Sequence, residues 1–277
     1  MESKWIKAMY RVLYLSPVAP RPRHEELFAD MVRAHKWPET EARVACLPAH
    51  VGQFNHVEFR SYEALVTPDL IRGVRAASRE GFDACVIGCF YDTAVLEARE
   101  ISGEMIVTAP CEASCDIAAT LSNRFGIVVG RQKWVNQMQK TVHRLGHGDR
   151  LTGFYAAGLG VTDFQTDHGL TRRCLMETAD RAVNRDHAEA LILGCTMEIG
   201  FHKDLERMFG VPVIDPSSAA FMRAQYFARL KQRSGLKPSR KWSCEAPPED
   251  EMQTLDVFEQ PPFFDNEINI PAQGNRQ

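Results

Sequence analysis

Two cysteines of this chain follow short aliphatic runs that end in the same Gly-Cys pair. The first run is VIGCFYD, from Val86 to Asp92, and the second is ILGCTME, from Ile192 to Glu198. Cys89 and Cys195 lie 106 positions apart, each at the end of a predicted buried strand. Two such thiols suit one reaction. A thiolate removes a proton from a carbon next to a carbonyl, and an opposite thiol returns a proton to the other face.

Geometry and acidity set the conditions for this proton transfer. Each sulfur must come within ~3.5 Å of the reacting carbon, so the two sulfurs are expected ~7 Å apart. A helix is predicted soon after each cysteine, with Asp92 or Thr93 as the first N-cap, and its dipole is expected to lower the thiol pKa. The reaction needs no metal and no organic cofactor, and the sequence has no HExxH motif and no phosphate-binding glycine loop.

The elements that must position these thiols alternate between apolar, β-branched runs and longer segments with helical spacing. This alternation predicts an α/β fold in which parallel sheets are flanked by helices. The predicted strands are Met9–Leu15, Ala42–Leu47, Ala84–Cys89, Met105–Thr108, Phe125–Val129, Leu151–Ala156, Ala190–Gly194 and Val211–Ile214. The predicted helices are His24–His35, Leu65–Arg79, Ala94–Ile101, Glu112–Leu121, Lys133–Leu145, Leu170–Arg185, Ile199–Phe209 and Ser218–Arg233.

An internal repeat links the two cysteine motifs. The segment from Asp83 to Cys89 resembles the segment from Glu189 to Cys195, and a proline follows each cysteine at the same distance, at Pro110 and Pro216. The repeat predicts two pseudo-symmetric lobes, each a parallel sheet flanked by helices. Because ligands bind beyond the carboxyl ends of parallel strands, the active site is expected in the cleft between the lobes.

The predicted domain boundaries follow from this repeat. Residues 1–110 with 217–235 form the first lobe, and residues 111–216 form the second. Residues 236–277 are rich in proline and acidic residues and have no sustained period. They form either a disordered tail or an arm on their own domain or a neighbouring subunit, because aromatic residues such as Trp242 are unfavourable in water.

The composition excludes several classes of protein. The chain has 277 residues, of which 44% are hydrophobic and 25% charged, with a net charge of −3. This charge gives no electrostatic basis for binding nucleic acid or an anionic membrane. Eight cysteines in a chain of this length do not indicate a disulfide scaffold. We expect a cytoplasmic homo-oligomer that acts on a small molecule.

Three segments resemble one protein family. GCFYD at 88–92, ILGCTM at 192–197 and GVPVID at 210–215 resemble the aspartate/glutamate/hydantoin racemase superfamily. The hydantoin and allantoin racemase branch is most similar, since its first cysteine is followed by Phe-x-Asp. The resemblance covers about residues 8–233. It implies two pseudo-symmetric lobes, with Cys89 and Cys195 as the acid–base pair of a cofactor-independent racemase or epimerase. The implied substrate is a substituted hydantoin or a related amino-acid derivative.

The same resemblance points to a shell of substrate-binding residues, in which this sequence departs from the branch. Asn-Pro-Asn-Thr after the first strand is replaced by Ser-Pro-Val-Ala, and two threonines after the fifth strand are replaced by Val-Gly. Arg131, which follows, is either a partner for a substrate carboxylate or an exposed arginine at a helix start. Tyr62 is placed in a long loop. The predicted substrate-binding residues are Ser16, Pro17, Tyr62, Phe90, Gly130, Arg131, Thr196 and Met197.

Four alternatives remain open at this point. A cis–trans isomerase similar to maleate isomerase also keeps both cysteines, and would use one thiol as a nucleophile. A decarboxylase similar to arylmalonate decarboxylase keeps only one. A thiol redox protein would require the Cα atoms of Cys89 and Cys195 within ~7 Å. A ligand-binding protein without activity could share the fold.

Overall fold

The structure is a computed structural model that describes residues 9–21, 23–50, 54–255 and 258–273. The strands in these ranges are β1 (Tyr10–Ser16), β2 (Thr40–Cys46), β3 (Ala84–Ile87), β4 (Ile106–Thr108), β5 (Phe125–Val129), β6 (Leu151–Ala156), β7 (Ala190–Leu193), β8 (Val213–Ile214) and β9 (Asp265–Ile270). The α-helices are α1 (His24–His35), α2 (Arg60–Arg79), α3 (Val95–Ile101), α4 (Pro110–Leu121), α5 (Gln132–Arg144), α6 (His168–Asp180), α7 (His202–Phe209), α8 (Pro216–Ser234) and α9 (Glu249–Leu255).

The strands form two sheets with the same connectivity. One sheet has the order β4-β3-β1-β2-β9 and the other has the order β6-β5-β7-β8. Without β9, the first order reads β2-β1-β3-β4, which is equivalent to the second, and all of these pairs are parallel. The α/β fold with two parallel sheets is therefore confirmed. The two strands that precede the cysteines, β3 and β7, occupy equivalent inner positions in their sheets.

The strands that precede the cysteines are buried, and one long helix packs on the first sheet. The inner strands β3 and β7 are fully buried, as their continuous aliphatic sequences predict. Helix α8 begins directly after β8 of the second sheet, yet it packs against β1, β3 and β4 of the first sheet. Phe221 of this helix is completely buried. The chain therefore returns to the first sheet after it completes the second.

Residues 236–255 and 258–273 lie along the first sheet. Strand β9 pairs antiparallel with β2, and the Ile270 side chain is buried beside it. Helix α9 is held by an ion pair of 2.7 Å between Glu249 and Arg75, whose side chain is 5% exposed. The sequence did not predict β9, because DNEINI is mostly polar and lacks the apolar run that marks an inner strand. An antiparallel strand at a sheet edge tolerates such a composition.

Helix α2 begins earlier than the sequence predicts. It starts at Arg60 instead of Leu65, and its first turn closes with a hydrogen bond of 2.9 Å from Glu63 N–H to the Phe59 carbonyl. Tyr62 therefore lies in a helix and not in a loop. The start is difficult to recognise because Phe59 gives no side-chain cap and Pro68 interrupts the helical pattern. Within the described ranges, every helix is too short or too polar to cross a membrane.

Candidate active site

Cys89 and Cys195 lie just beyond the carboxyl ends of β3 and β7 and line one cavity. Each cysteine is 8% exposed. The empty space of the cavity, together with the open solvent at its mouth, is about 510 Å³. Its lining residues are Ser16, Pro17, Val18, His24, Asn55, His56, Val57, Glu58, Gly88, Cys89, Phe90, Tyr91, Trp134, Met138, Val161, Gly194, Cys195, Thr196 and Met197.

The turn that carries Cys89 depends on glycine at position 88 and on a left-handed backbone conformation at Asp92. A Cβ atom at Gly88 would lie 2.7 Å from the ring of Tyr14, which is fully buried. Asp92 has a φ of 53°. Its carboxylate accepts the N–H groups of Cys111, at 2.8 Å, and Glu112, at 3.0 Å. Asp92 therefore caps α4, whereas the sequence placed it at the helix that directly follows Cys89.

The turn that carries Cys195 is closed by the acid three residues later. The Cys195 N–H donates to the Glu198 carboxyl at 3.2 Å, and the Glu198 N–H donates to the Cys195 side chain. A Cβ atom at Gly194 would lie 2.7 Å from the Val128 carbonyl. The Thr196 hydroxyl donates to the Gly88 carbonyl at 3.4 Å, so the two cysteine turns are joined across the cavity.

Burial raises the pKa of both thiols. It raises the pKa of Cys89 to about 12, against the opposing effect of a hydrogen bond from the Tyr91 N–H. Burial, and then the nearby Glu198 carboxyl, raise the pKa of Cys195 well above its usual value. The expectation that helix dipoles lower these pKa values was wrong. Helices α3 and α7 begin only at Val95 and His202, and a dipole acts mainly within the first turn.

The cavity brings together seven of the ten residues predicted for the site. Besides the two cysteines, these are Ser16, Pro17, Phe90, Thr196 and Met197. The Ser16 side chain is completely buried, and its Oγ has no hydrogen-bond partner within the described ranges. A buried hydroxyl without a partner is unfavourable. Ser16 is therefore well placed to bind a polar group of a ligand.

The structure places the other three predicted residues outside the cavity wall. Tyr62 packs against Phe54, with the ring centroids 4.7 Å apart. Gly130 permits a close approach of the chain, since a Cβ atom there would lie 2.2 Å from the Leu159 carbonyl. The Arg131 guanidinium donates to the Glu58 carboxylate at 2.8 Å. Each of the three lies next to a residue that lines the cavity: Arg131 next to Glu58, Tyr62 next to His56 with ring centroids 5.7 Å apart, and Gly130 next to Trp134.

Residues 54–58 supply a polar wall that the sequence did not indicate. Asn55, His56 and Glu58 line the cavity from this segment, which precedes α2 and has no periodic pattern. Glu58 is 5% exposed, and its carboxylate also accepts the Trp134 indole N–H at 3.2 Å. Burial favours the neutral acid, but hydrogen bonds from the Val161 N–H, from an arginine and from this indole outweigh it, and the Glu58 pKa is lowered. Glu58 is therefore an anion in the cavity wall.

Comparison with known proteins agrees with this geometry. The family model described as Asp/Glu/Hydantoin racemase matches residues 25–224. A hydantoin racemase of Paenarthrobacter aurescens is 34% identical over 185 residues, which are 65% of this chain and 78% of that protein. A hydantoin racemase of Pseudomonas sp. (strain NS671) is 33% identical over 176 residues, which are 63% and 70% of the two chains. Allantoin racemase from Klebsiella pneumoniae has a TM-score of 0.79 at 27% identity, with 87% of this chain and 94% of that chain covered.

The family match spans most of the chain, and the solved relative shares its fold over nearly its whole length. The chain therefore belongs to the Asp/Glu/hydantoin racemase family and is an isomerase of the racemase type. This confirms the resemblance that the two Gly-Cys motifs and the segment GVPVID gave.

Proposed function

We propose that the chain is a cofactor-independent racemase or epimerase that acts on a substituted hydantoin or a related amino-acid derivative, with Cys89 and Cys195 as its acid–base pair. The observation that carries this proposal is that the two thiols follow equivalent strands of two sheets and line one cavity. The similarity to hydantoin and allantoin racemases supports the substrate class.

The two thiols together accept and supply every proton that the reaction moves. The thiolate of one cysteine takes the proton from the carbon, and the electron pair of the C–H bond enters the adjacent carbonyl group to give an enolate. The thiol of the other cysteine then donates its proton to the opposite face, and the electron pair returns to the carbon. The stereocentre is inverted, and the two cysteines have exchanged their protonation states.

The cavity also offers a group for the charge that develops on the carbonyl oxygen. Ser16 lies at the carboxyl end of β1, the strand next to β3 in the sheet. Its hydroxyl has no hydrogen-bond partner among the described residues and can donate to the substrate oxygen. A donor held in place stabilises an enolate more than a neutral carbonyl. Ser16 is thereby assigned the role of binding the substrate carbonyl.

The charge of the wall favours a neutral ring over the substrates of the rival reactions. Maleate and arylmalonate are dicarboxylates, and the Glu58 carboxylate already provides a fixed negative charge in this cavity. A second anion in a site of low dielectric would be repelled. A hydantoin ring is uncharged and presents carbonyl oxygens and N–H groups. The racemisation of a cyclic ureide therefore fits the cavity better than isomerisation or decarboxylation of a diacid.

Proton exchange tests the assignment of the two thiols. Cys89→Ser and Cys195→Ser are each expected to abolish racemisation of a 5-substituted hydantoin, because a serine hydroxyl is a far weaker acid and base near neutral pH. Each variant keeps one thiol and is expected to exchange the α-proton of one enantiomer with deuterium, the two variants preferring opposite enantiomers. The measurement is NMR of α-proton loss in D₂O for each pure enantiomer.

Cys174→Ser, at a half-buried cysteine of α6 outside the cavity, is the matched control and should racemise like the wild type. Racemisation by either single active-site variant would overturn the two-thiol mechanism. The same enantiomer preference in both variants would place the thiols on one face. A cytoplasmic location and a homo-oligomer stay predictions, and light scattering after gel filtration measures the latter.

A further inference from the structure

The Glu58 carboxylate lies between the cavity and an arginine. Its Oε2 atom accepts Arg131 at 2.8 Å and the Trp134 indole at 3.2 Å, while its Oε1 atom accepts the Val161 N–H at 3.0 Å. Glu58 lines the cavity, whereas Arg131 does not and its side chain is 44% exposed. Among the described residues, the guanidinium therefore contacts the cavity wall through the carboxylate of Glu58.

This arrangement leaves an internal carboxylate where a substrate carboxylate would be bound. Arginine is the preferred protein partner for a carboxylate, because its guanidinium offers a fixed fork of donors. Here one N–H of the fork donates to Glu58, and the indole and backbone donors beside it donate to the same carboxylate. An acidic substrate in the cavity would therefore meet the negative charge of Glu58 and not the guanidinium, which lies outside the cavity wall.

We propose that Glu58 is a specificity-determining residue: its carboxylate takes the place beside Arg131 that a substrate carboxylate would occupy, so the cavity accepts uncharged rings and rejects acidic ones. The inference rests on the proposed function, because it takes the substrate to be a ring of the hydantoin type. It goes beyond that function because it assigns the discrimination between neutral and acidic side chains to one ion pair. It also gives Arg131 an indirect role, in place of direct contact with the substrate.

The electrostatic reach of Glu58 agrees with this role. Its charge is one of the causes that raise the pKa of the Cys195 thiol, so the carboxylate acts electrostatically on the proposed catalytic cysteine. The segment that carries Glu58 also contacts the turn that carries Cys89. The Tyr91 hydroxyl, two residues beyond Cys89, donates to the Glu58 carbonyl at 3.4 Å. The carboxylate is thus held in one position relative to the thiols.

The first experiment compares two ligands of the same shape and different charge. Binding of hydantoin-5-acetate and of its neutral amide is measured by calorimetry to the wild type, Glu58→Gln, Arg131→Gln and the double variant. The wild type is expected to prefer the amide. Glu58→Gln removes the negative charge beside the guanidinium and is expected to shift the acid-to-amide affinity ratio about tenfold toward the acid, which corresponds to one charge-assisted interaction. The double variant should lose this gain.

The chain offers a closely matched control. Glu112 and Arg99 form a second ion pair of 2.6 Å away from the cavity, with side chains 7% and 40% exposed, against 5% and 44% for Glu58 and Arg131. Glu112→Gln should leave the acid-to-amide ratio unchanged. An unchanged ratio in Glu58→Gln, or a wild type that binds the acid as tightly as the amide, would overturn the proposal.

A second experiment is independent of the substrate. Glu58→Ala removes the carboxylate and leaves space beside Arg131, so sodium acetate should raise the melting temperature of this variant more than sodium chloride at equal ionic strength. The acetate effect should be absent from the wild type and from Glu58→Ala/Arg131→Gln. Its absence from Glu58→Ala would overturn the proposal. Failure of the wild type and every variant to bind either ring would count against the proposed function alone, and the acetate result would then decide the role of Glu58.

Discussion

The acidity of Cys89 can be tested by the pH dependence of its alkylation. Burial raises the pKa of this thiol from an ordinary value of 9.0 to about 12. Three pH units correspond to about a thousandfold less thiolate at any pH well below both values. Because only the thiolate reacts, the alkylation rate of Cys89 in the free protein should rise about tenfold for each pH unit, without levelling, up to at least pH 9.5.

The assay is the rate of iodoacetamide labelling of Cys89, measured by mass spectrometry of its peptide between pH 6.5 and 9.5. Restricted access lowers the rate equally at every pH, so the slope and not the absolute rate is the diagnostic quantity. Cys89→Ser identifies labelling at other sites. A rate that levels off below pH 8 would refute the reasoning, since it would show that donors near the turn stabilise the thiolate more than burial destabilises it.

Three further predictions concern the turn, the arm and the absence of a cofactor. Gly88→Ala should lower the free energy of unfolding by ~1–3 kcal/mol in urea titrations, because its Cβ would lie 2.7 Å from the Tyr14 ring, while Gly153→Ala, with a nearest contact of 3.4 Å, serves as control. Truncation after Gly235 should lower the urea midpoint and promote aggregation on light scattering, because it uncovers the edge of β2. Racemisation should persist after dialysis against EDTA; loss that added zinc restores would contradict this.

The strands could be predicted because their signal is local. Each of the eight predicted strands occurs, and the cysteines lie at the strand ends where the Gly-Cys pairs placed them. The repeat also indicated the equivalent connectivity of the two sheets, since it compares one strand–helix–strand unit with another. The edge strand β9 could not be predicted in the same way, because its pairing with β2 depends on residues more than two hundred positions earlier in the chain.

The polar wall of the cavity depends on contacts that no local pattern encodes. Glu58 meets Arg131 and Val161, which are 73 and 103 positions further along the chain. Its acidic side chain is ordinary for a loop, and only the fold shows that it is buried. Arg131 illustrates the same limit, since the sequence left it as a ligand or an exposed arginine. The structure shows a third possibility, an arginine engaged by the protein's own carboxylate.

The two cysteine turns occupy equivalent positions in their sheets but differ in the hydrogen bonds of the acid that follows each cysteine. An acid stands three residues after each thiol, Asp92 in the first turn and Glu198 in the second. The Asp92 carboxylate turns away to cap α4, whereas the Glu198 carboxyl turns back to its own cysteine. Burial raises the pKa of both acids, that of Asp92 to about 8 and that of Glu198 well above its usual value.

This asymmetry makes the two thiols chemically unequal while the sheets keep them equivalent in position. For a pair of enantiomers the equilibrium constant is one, because both have the same free energy in solution. Unequal thiols therefore cannot favour one hand at equilibrium, and kcat/KM must be the same in both directions. The difference between Asp92 and Glu198 can therefore make kcat and KM differ between the two enantiomers, but only by the same factor, so that kcat/KM stays equal. In the proposed mechanism, the two equivalent sheets place the thiols, and the two acids account for any difference between the thiols in the reaction.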